Sequence, residues 1–277
     1  MTARAGAIDL HSHSTASDGQ YPAEEVAERA AAAGVAVWAL TDHDSIAQLR
    51  AGAAAAQVHG LRFVPGIELS AHLDRREVHV LGHFIDPGSV PLQRFEDLLA
   101  QQRRVRMGEM IQKLAGLGVA LTPDEIERFS GGKTLGRPHV ARAMVERGIV
   151  SSVREAFDRF LGEGRPAYVG RHRLPMEEAI RLLREAGGTA TIAHPGLNKI
   201  ERGDLERMKA WGLSGVEAYH PDHVPSQLEK YLRLCAELDL VPTAGSDFHG
   251  EAIAPDRKLA MVTMSPEEFG RLEARRG

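Results

Sequence analysis

The sequence predicts an α/β barrel, closed or nearly closed, that is interrupted by a helical insertion. Three observations lead there. Apolar runs of strand length alternate with helix-period segments, which implies a parallel sheet. The alternation stops between about residues 86 and 168, where only helical patterns occur. Ionisable residues also gather where the apolar runs end, as they do where a barrel builds an active site from converging strand ends. An open doubly wound sheet would bring together only the loops near its switch point.

The first run, residues 7–13, contains Ile8-Asp9-Leu10-His11-Ser12-His13. In an extended chain side chains two apart share a face, so His11 and His13 can both reach one divalent ion. Alone, the pair is equally well a short strand with two exposed histidines. Asp18-Gly19 follows in a loop-like stretch. Residues 22–33 then carry Val26, Ala27, Ala30 and Ala31 at helical spacing, with Gly34 as a stop. A second run, 35–40, ends in Thr41-Asp42-His43-Asp44-Ser45 and leads to an alanine-rich helix, 46–59. The third, 61–67, ends at Glu68, and the fourth, 77–84, carries His79 and His83.

Within the insertion, 91–117 reads as a long helix or helix pair. Thr122-Pro123-Asp124-Glu125 reads as an N-cap, a proline at N1 and acids in the first turn. Residues 137–146 and 152–161 look like two more helices. A stretch of this length is too long for one crossover connection. Alternation resumes with helix 175–186 and the run 189–193, which ends in His194-Pro195. Run 215–218 holds Glu217 and enters Tyr219-His220-Pro221. Helix 225–238 precedes run 240–244, which ends in Gly245-Ser246-Asp247-Phe248-His249-Gly250. Residues 259–264 are expected as an edge strand and 265–275 as a last helix. The expected organisation is a barrel domain from 1–85 and 169–277, with a helical cap from 86–168.

The totals bound the function. A chain of 277 residues, 43% hydrophobic and 26% charged, suits one large α/β domain or a domain plus an insertion. The net charge of −4 leaves no broad electrostatic footprint for long nucleic acid. A small phosphorylated substrate needs only a local positive site, which a metal can supply. The single cysteine, Cys235, excludes an intrachain disulfide framework and fits a reducing compartment. No apolar signal run opens the chain, and no stretch reaches the roughly 18 unbroken apolar residues of a membrane span. A soluble cytoplasmic protein, with no membrane or protein partner evident, is expected.

Collected in order, the strand-end candidates are His11, His13, Asp18, His43, Glu68, His79, His194, Asp247 and His249. Nine nitrogen and oxygen donors exceed what one ion can use. Two or three divalent metals are implied, with Glu68 or Asp247 suited to bridging. Imidazoles and carboxylates without a thiolate suit Mn²⁺, Fe²⁺ or Zn²⁺, with Mn²⁺ the first choice. Clustered metals clamp a phosphoryl oxygen and activate water at neutral pH, which favours hydrolysis of a phosphate ester over redox or group-transfer chemistry.

Other residues read differently. Asp42 and Asp44 flank His43 as partners that orient imidazoles. His83 shares a face with His79 and is a lesser candidate to line the site. His59 and His72 read as solvent-facing, and Arg103 and Arg106 as a solvated helix face. Arg171-His172-Arg173 reads as a solvated or phosphate-facing loop. His220 and His223, just past a strand end, are candidates for substrate contact.

At this point the residues resemble a known family. Asp9-Leu-His-Ser-His, Ser17-Asp18-Gly19, Thr41-Asp-His-Asp-Ser, Gly66-Ile-Glu68, His79-Val-Leu-Gly, Ala193-His-Pro and Gly245-Ser-Asp-Phe-His stand in the order of the PHP (polymerase and histidinol phosphatase) family of metal-dependent phosphoesterases. The resemblance covers essentially the whole chain. It implies a distorted (β/α)7 TIM-like barrel with a trinuclear metal site. By resemblance, His11, His13, Glu68 and Asp247 hold the first metal. Glu68, His79 and His194 hold the second, and Asp18, His43 and His249 the third. Some relatives carry histidine at the position of Asp18.

The insertion narrows the resemblance. Gly136-Arg137-Pro138-His139-Val140-Ala141, Ala156-Phe157 and Pro166-Ala167-Tyr168-Val169 are similar to the branch with a helical cap. Members of that branch hydrolyse nucleoside 3',5'-bisphosphates, and related members trim short RNA from the 5' end. The resemblance therefore implies a bisphosphate substrate and an AMP-like product, with Arg137 and His139 on the 5'-phosphate. The leaving-group acid is left open among His194, His220 and a metal-bound water, with His220 also expected near substrate. A 5'-to-3' exoribonuclease is the first alternative, although few aromatics are present for stacking bases. Histidinol phosphatase chemistry is another, without the Gly-Arg-Pro-His segment. A C–N bond hydrolase also begins with His-x-His, but needs a bridging lysine. Glu68 takes that place here, and Lys113, Lys133 and Lys199 are not at strand ends. A non-catalytic regulator conflicts with the intact donor set.

Overall fold

The structure, a computed structural model, describes residues 6–129, 136–170 and 173–277. The chain divides into two compact units, Met1–Gln93 with Arg173–Gly277, and Arg94–His172.

The first unit is built on the strands β1 (Ala7–Asp9), β2 (Val35–Leu40), β3 (Arg62–Leu73), β4 (Arg76–His83), β5 (Leu174–Pro175), β6 (Thr189–Ile192), β7 (Gly215–Tyr219) and β8 (Val241–Ala244). They neighbour one another in the order β1-β2-β3-β4-β6-β7-β8, with the short β5 attached to β3. The ring closes beyond the regular ladder. Leu10 N–H donates to the Ala244 carbonyl at 2.9 Å, and His13 N–H donates to the Phe248 carbonyl at 2.9 Å. Helices α1 (Ala23–Ala32), α2 (Leu49–Val58), α7 (Met176–Glu185), α8 (Arg202–Ala210), α9 (Pro225–Glu237) and α10 (Pro266–Glu273) complete this unit. This is a distorted (β/α)7 TIM-like barrel.

The expectation of a parallel sheet fails at β4, which runs antiparallel to β3 and to β6. The cause is local. β3 does not stop at Ile67 but continues to Leu73, and only Asp74 and Arg75 separate it from β4. Asp74 adopts φ 55°, which reverses the chain within a hairpin too short for a parallel crossover. Glu68 and His79 therefore sit inside strands rather than at their ends. Ser70 pairs with His79, so His79 shares a sheet face with Ser70 and with Glu68 two residues before it.

Residues 259–264 form turns rather than the expected edge strand. Side-chain bonds tether them beside β1 instead: Ile8 N–H donates to Thr263 Oγ1 at 2.9 Å, and Ala260 N–H to Asp9 Oδ2 at 3.1 Å. Helix α8 carries only Leu205 and Met208 as buried residues, too weak a pattern to read from sequence. At the foot of the barrel Ile8, Leu10, Val64, Phe84 and Val241 pack with Phe269 and Leu272 of α10. Burying each large side chain of this kind contributes about 1.5–3 kcal/mol.

The second unit contains α4 (Pro123–Glu127), α5 (Arg137–Glu146) and α6 (Val153–Ala156), which runs into a π-helical turn, Phe157–Leu161. Helix α3 (Val90–Gly116) begins before it and runs into it. Its own core includes Met110, Leu114, Ile126, Val140, Met144 and Leu161. Thr122 caps α4 as the sequence suggests. Its hydroxyl accepts from Glu125 N–H at 3.4 Å, and Glu125 accepts from Thr122 N–H at 2.8 Å. None of the described helices is long and apolar enough to cross a membrane.

Candidate metal centre

His11 and His13 leave β1 on one face, with their Nε2 atoms 3.1 Å apart. Ser12, between them, turns the other way. Its hydroxyl donates to the Ala39 carbonyl at 2.8 Å and accepts from Trp38 Nε1 at 2.8 Å, which fixes the alternation. Asp9, fully buried, accepts from Ser246 N–H at 2.9 Å and so ties the β1 exit to the loop that carries Asp247. Burial pushes the Asp9 carboxyl up from its ordinary value, against those hydrogen bonds.

Glu68 is the centre of the arrangement. Its Oε2 lies 3.2 Å from Nε2 of His11, 3.2 Å from Nε2 of His13 and 3.1 Å from Nδ1 of His43. Its Oε1 lies 3.0 Å from Nδ1 of His79 and 3.1 Å from Nε2 of His194. Asp247 Oδ1 is 3.3 Å from Nε2 of His11 and 3.2 Å from Nε2 of His13. A third group lies beside these. Asp18 Oδ1 is 3.3 Å from Nε2 of His249, and Oδ2 is 3.8 Å from Nε2 of His43. Asp18 is the open side of the cluster, with its side chain 57% exposed against 1% for Glu68. All nine residues singled out in the sequence are thus brought into one cluster.

The spacing fits divalent ions. With metal–ligand bonds of roughly 2.0–2.2 Å, neighbouring donors stand roughly 2.8–3.6 Å apart in octahedral or tetrahedral geometry. Donor contacts of 3.0–3.2 Å around Glu68, and of 3.2–3.3 Å around Asp247 Oδ1, fall in that interval. Nδ1 of His43 and Nδ1 of His79 are buried without a hydrogen-bond partner, although each faces a Glu68 oxygen. A buried ring nitrogen left in that way is suited to a cation once it has given up any proton.

The electrostatics agree. For Glu68 burial is the largest influence and raises its pKa, but the surrounding imidazoles outweigh it and hold the carboxyl well below its ordinary range. Asp247 behaves alike, with His11 the leading charge. Burial pushes His13 down, yet its bonds to Asp247 and Glu68 leave it raised to about 9. His79 is raised to about 10 against the same burial, chiefly by Glu68. His43 is pushed down to about 4 by burial. The cluster holds positive charge firmly, and a metal would compete with protons for it.

Several partners were not legible in the sequence. Glu217, fully buried, faces His11 Nδ1 at 2.8 Å. Asn198 donates to His194 Nδ1 at 3.3 Å. Arg257 pairs with Asp247 and, at 2.5 Å, with Asp222. A buried acid inside the apolar run 215–218 was the one available signal for Glu217. Asp42 does not orient an imidazole directly, as expected of it. It accepts from Ser14 N–H at 2.7 Å, Ser14 Oγ at 2.6 Å and Ser17 Oγ at 2.7 Å, and Ser17 Oγ in turn lies 3.4 Å from His13 Nδ1. Asp44 accepts from Ser70 N–H at 2.9 Å. His83 lies on the Glu68 face of β4 but deeper, with Nε2 donating to the Leu10 carbonyl at 2.9 Å.

His220 is buried, and its Nδ1 accepts from Asp222 N–H at 3.2 Å. The proton of the neutral ring is thereby placed on Nε2, 3.5 Å from Asp247 Oδ2. His223 is tied at both nitrogens, to the Ala218 carbonyl and to Gly196 N–H. His59 is exposed, as expected, while His72 is half-buried, as are Arg103 and Arg106. In the second unit the Arg137 guanidinium lies 5.7 Å from the Phe157 ring and 5.3 Å from the Tyr168 ring, and donates to the Leu161 carbonyl at 3.3 Å. His139 uses Nδ1 to accept from Gly136 N–H at 2.9 Å, capping α5. Lys113 donates to the Tyr168 carbonyl. Lys133, Arg171 and His172 lie outside the described residues.

A barrel that converges imidazoles and carboxylates on one central carboxylate defines a metal-dependent hydrolase. A model of the PHP domain matches residues 9–135. A 3',5'-nucleoside bisphosphate phosphatase of Chromobacterium violaceum is 36% identical over 247 residues, covering 87% of each chain. A 5'-3' exoribonuclease of Haemophilus influenzae is 36% identical over 248 residues, covering 87% of this chain and 89% of its own. A solved structure from Bifidobacterium adolescentis, assigned as a metal-dependent phosphoesterase, superposes with a TM-score of 0.80 at 27% identity, covering 99% of this chain and 98% of that one. The chain belongs to the PHP family of metal-dependent phosphoesterases.

Proposed function

We propose that the protein hydrolyses nucleoside 3',5'-bisphosphates to nucleoside 5'-monophosphate and phosphate. The observation that carries this reading is the donor set spaced 3.0–3.2 Å around Glu68, in a chain 36% identical to a bisphosphate phosphatase. His11, His13, Glu68 and Asp247 would hold a first divalent ion, and Glu68, His79 and His194 would hold a second. Asp18, His43 and His249 complete a third position. Mn²⁺ is our first choice, although the imidazole and carboxylate donors suit Fe²⁺ and Zn²⁺ as well. Ions bound there polarise phosphoryl oxygens and lower the pKa of the attacking water.

The chain's own groups supply the rest. His220 directs an Nε2–H beside Asp247 and is better placed than His194 to hydrogen-bond the departing 3'-oxygen, with water supplying the proton, because His194 would give its Nε2 to the metal set. Arg137 retains further N–H groups beyond its bond to Leu161, and a guanidinium suits a phosphate with two oxygens presented together. His139, with Nδ1 committed to the helix cap, offers Nε2 to the same 5'-phosphate. The single free, buried Cys235 supports a cytoplasmic setting.

An equally similar exoribonuclease favours a second reading, 5'-to-3' trimming of short 5'-phosphorylated RNA. A panel with Mn²⁺ separates the two. Release of 3'-phosphate from adenosine 3',5'-bisphosphate, well ahead of nucleotide release from a 5'-phosphorylated trinucleotide, is the expected result. Efficient trimming of the RNA with the bisphosphate untouched would overturn the first reading in favour of the second.

A further inference from the structure

A carboxylate behind the donor cluster grips two of its members. Glu217 is fully buried on β7, where its Cα pairs with Thr243 of β8. Its Oε1 lies 2.8 Å from Nδ1 of His11, and its Oε2 accepts the backbone N–H of His194 at 2.7 Å. His194 sits at φ 28°, a backbone region that a residue with a Cβ occupies only when its surroundings hold it there. Gly245 completes the cradle. A Cβ at that position would lie 2.2 Å from His11 Cβ and 2.4 Å from Glu217 Oε1, so β8 leads into a glycine where His11 stacks on the carboxylate.

We infer that Glu217 is a positioning residue for two metal ligands at once. One oxygen fixes the ring and tautomer of His11, and the other holds the strained backbone that aims His194. The inference rests on the reading of those two histidines as ligands. Glu68 joins the first and second metal positions from the front, and Glu217 joins the same two positions from behind. A ring that gives Nε2 to a metal keeps its proton on Nδ1, so His11 presents a donor to Glu217. The amide of His194 is a donor as well. Both oxygens of Glu217 must therefore accept. Glutamine has the same shape but only one acceptor, and its amide nitrogen faces either His11 or His194 as a second donor. Turned toward His11, it drives the ring proton to Nε2, the atom the metal requires.

Two measurements test this. In the Zn²⁺-loaded wild-type protein, labelled with ¹⁵N-histidine, NMR should find the His11 ring protonated at Nδ1, with the proton shifted far downfield by the carboxylate. Calorimetric titration with Mn²⁺ should find Glu217→Gln about 10- to 100-fold weaker than wild type, with the far-ultraviolet circular dichroism of the metal-free protein unchanged. A wild-type protein that takes up no divalent metal overturns the reading of the whole centre. A wild-type protein that takes up metal with no proton on His11 Nδ1 overturns the role of Glu217 alone. So does a folded Glu217→Gln variant that binds Mn²⁺ within roughly threefold of wild type, less than 1 kcal/mol. Should that variant fail to fold, the wild-type NMR spectrum still decides.

Discussion

Oε1 of Glu68 stands 3.1 Å from Nε2 of His194, while the other oxygen of the same carboxylate faces His11, His13 and His43. One side chain thus serves both sides of the cluster. Glu68→Ala should lose affinity at two positions together. Mn²⁺ affinity should fall by more than the about 100-fold typical of an outer partner, and turnover should fall with it. Exhaustive chelation of the wild type should abolish turnover, and added Mn²⁺ should restore it. Full activity after verified removal of all divalent metal would contradict the mechanism.

Selection should be separable from rate. A metal cluster grips any phosphoryl group, so choice among esters must come from groups that touch the part of the substrate that does not react. Losing a charged hydrogen bond costs about 1.5–3 kcal/mol, or roughly 10- to 200-fold. Arg137→Ala should lower kcat/KM by that factor for a nucleoside 3',5'-bisphosphate and change it little for an aryl phosphate. Equal losses on both would show that Arg137 serves the fold, where its contacts with Leu161, Phe157 and Tyr168 already place it.

The nine residues of the cluster stand out in the sequence because imidazoles and carboxylates on or beside apolar runs are costly to bury unless they are paired. The strand directions were not. Sequence alternation cannot tell a parallel run from an antiparallel one, and the turn at Asp74-Arg75 falls inside what reads as a loop. Long-range partners were hidden for a related reason. Glu217 meets His11 across 206 positions, and Arg257 reaches Asp222 across 35, so no local spacing announces either. Proximity in sequence to His43 suggests a direct contact for Asp42, whereas its oxygens bond Ser14 and Ser17 and reach an imidazole, that of His13, only through Ser17.

Metal binding should be linked to protons. In the metal-free site His13 is raised to about 9 and His79 to about 10, so both rings carry a proton at pH 7 to 8. A metal needs their lone pairs and must displace those protons. Loading should therefore release protons, and Mn²⁺ affinity should rise as pH rises toward 9. Calorimetry in two buffers of different ionisation enthalpy counts the release. Uptake of metal with no net proton release near pH 7.5 would contradict the charge states assigned to these rings.

The His83 shift runs the other way, downward, and gives a prediction concerning stability. Its ring is fully buried, burial pushes it down to about 4 from 6.5, and its bond to the Leu10 carbonyl only partly offsets that. The folded protein keeps this ring neutral, whereas the unfolded chain protonates it below pH 6.5. Between those values the unfolded state binds more protons, so stability rises with pH and is lost as pH falls from 6.5 toward 4. The gap is worth roughly 3 kcal/mol, with no further loss below the folded value. Glu68, His13 and the other buried groups titrate too, so one curve does not isolate His83. The difference between two curves does. Glutamine at this position keeps an N–H for the Leu10 carbonyl and does not titrate. His83→Gln should be less stable than wild type at pH 7 through lost ring packing. Its stability should then fall less steeply between pH 6.5 and 4, by roughly 3 kcal/mol over the interval. Urea unfolding of both metal-free proteins across that range measures it. Parallel curves would show that the His83 ring is charged, or hydrated, in the folded barrel.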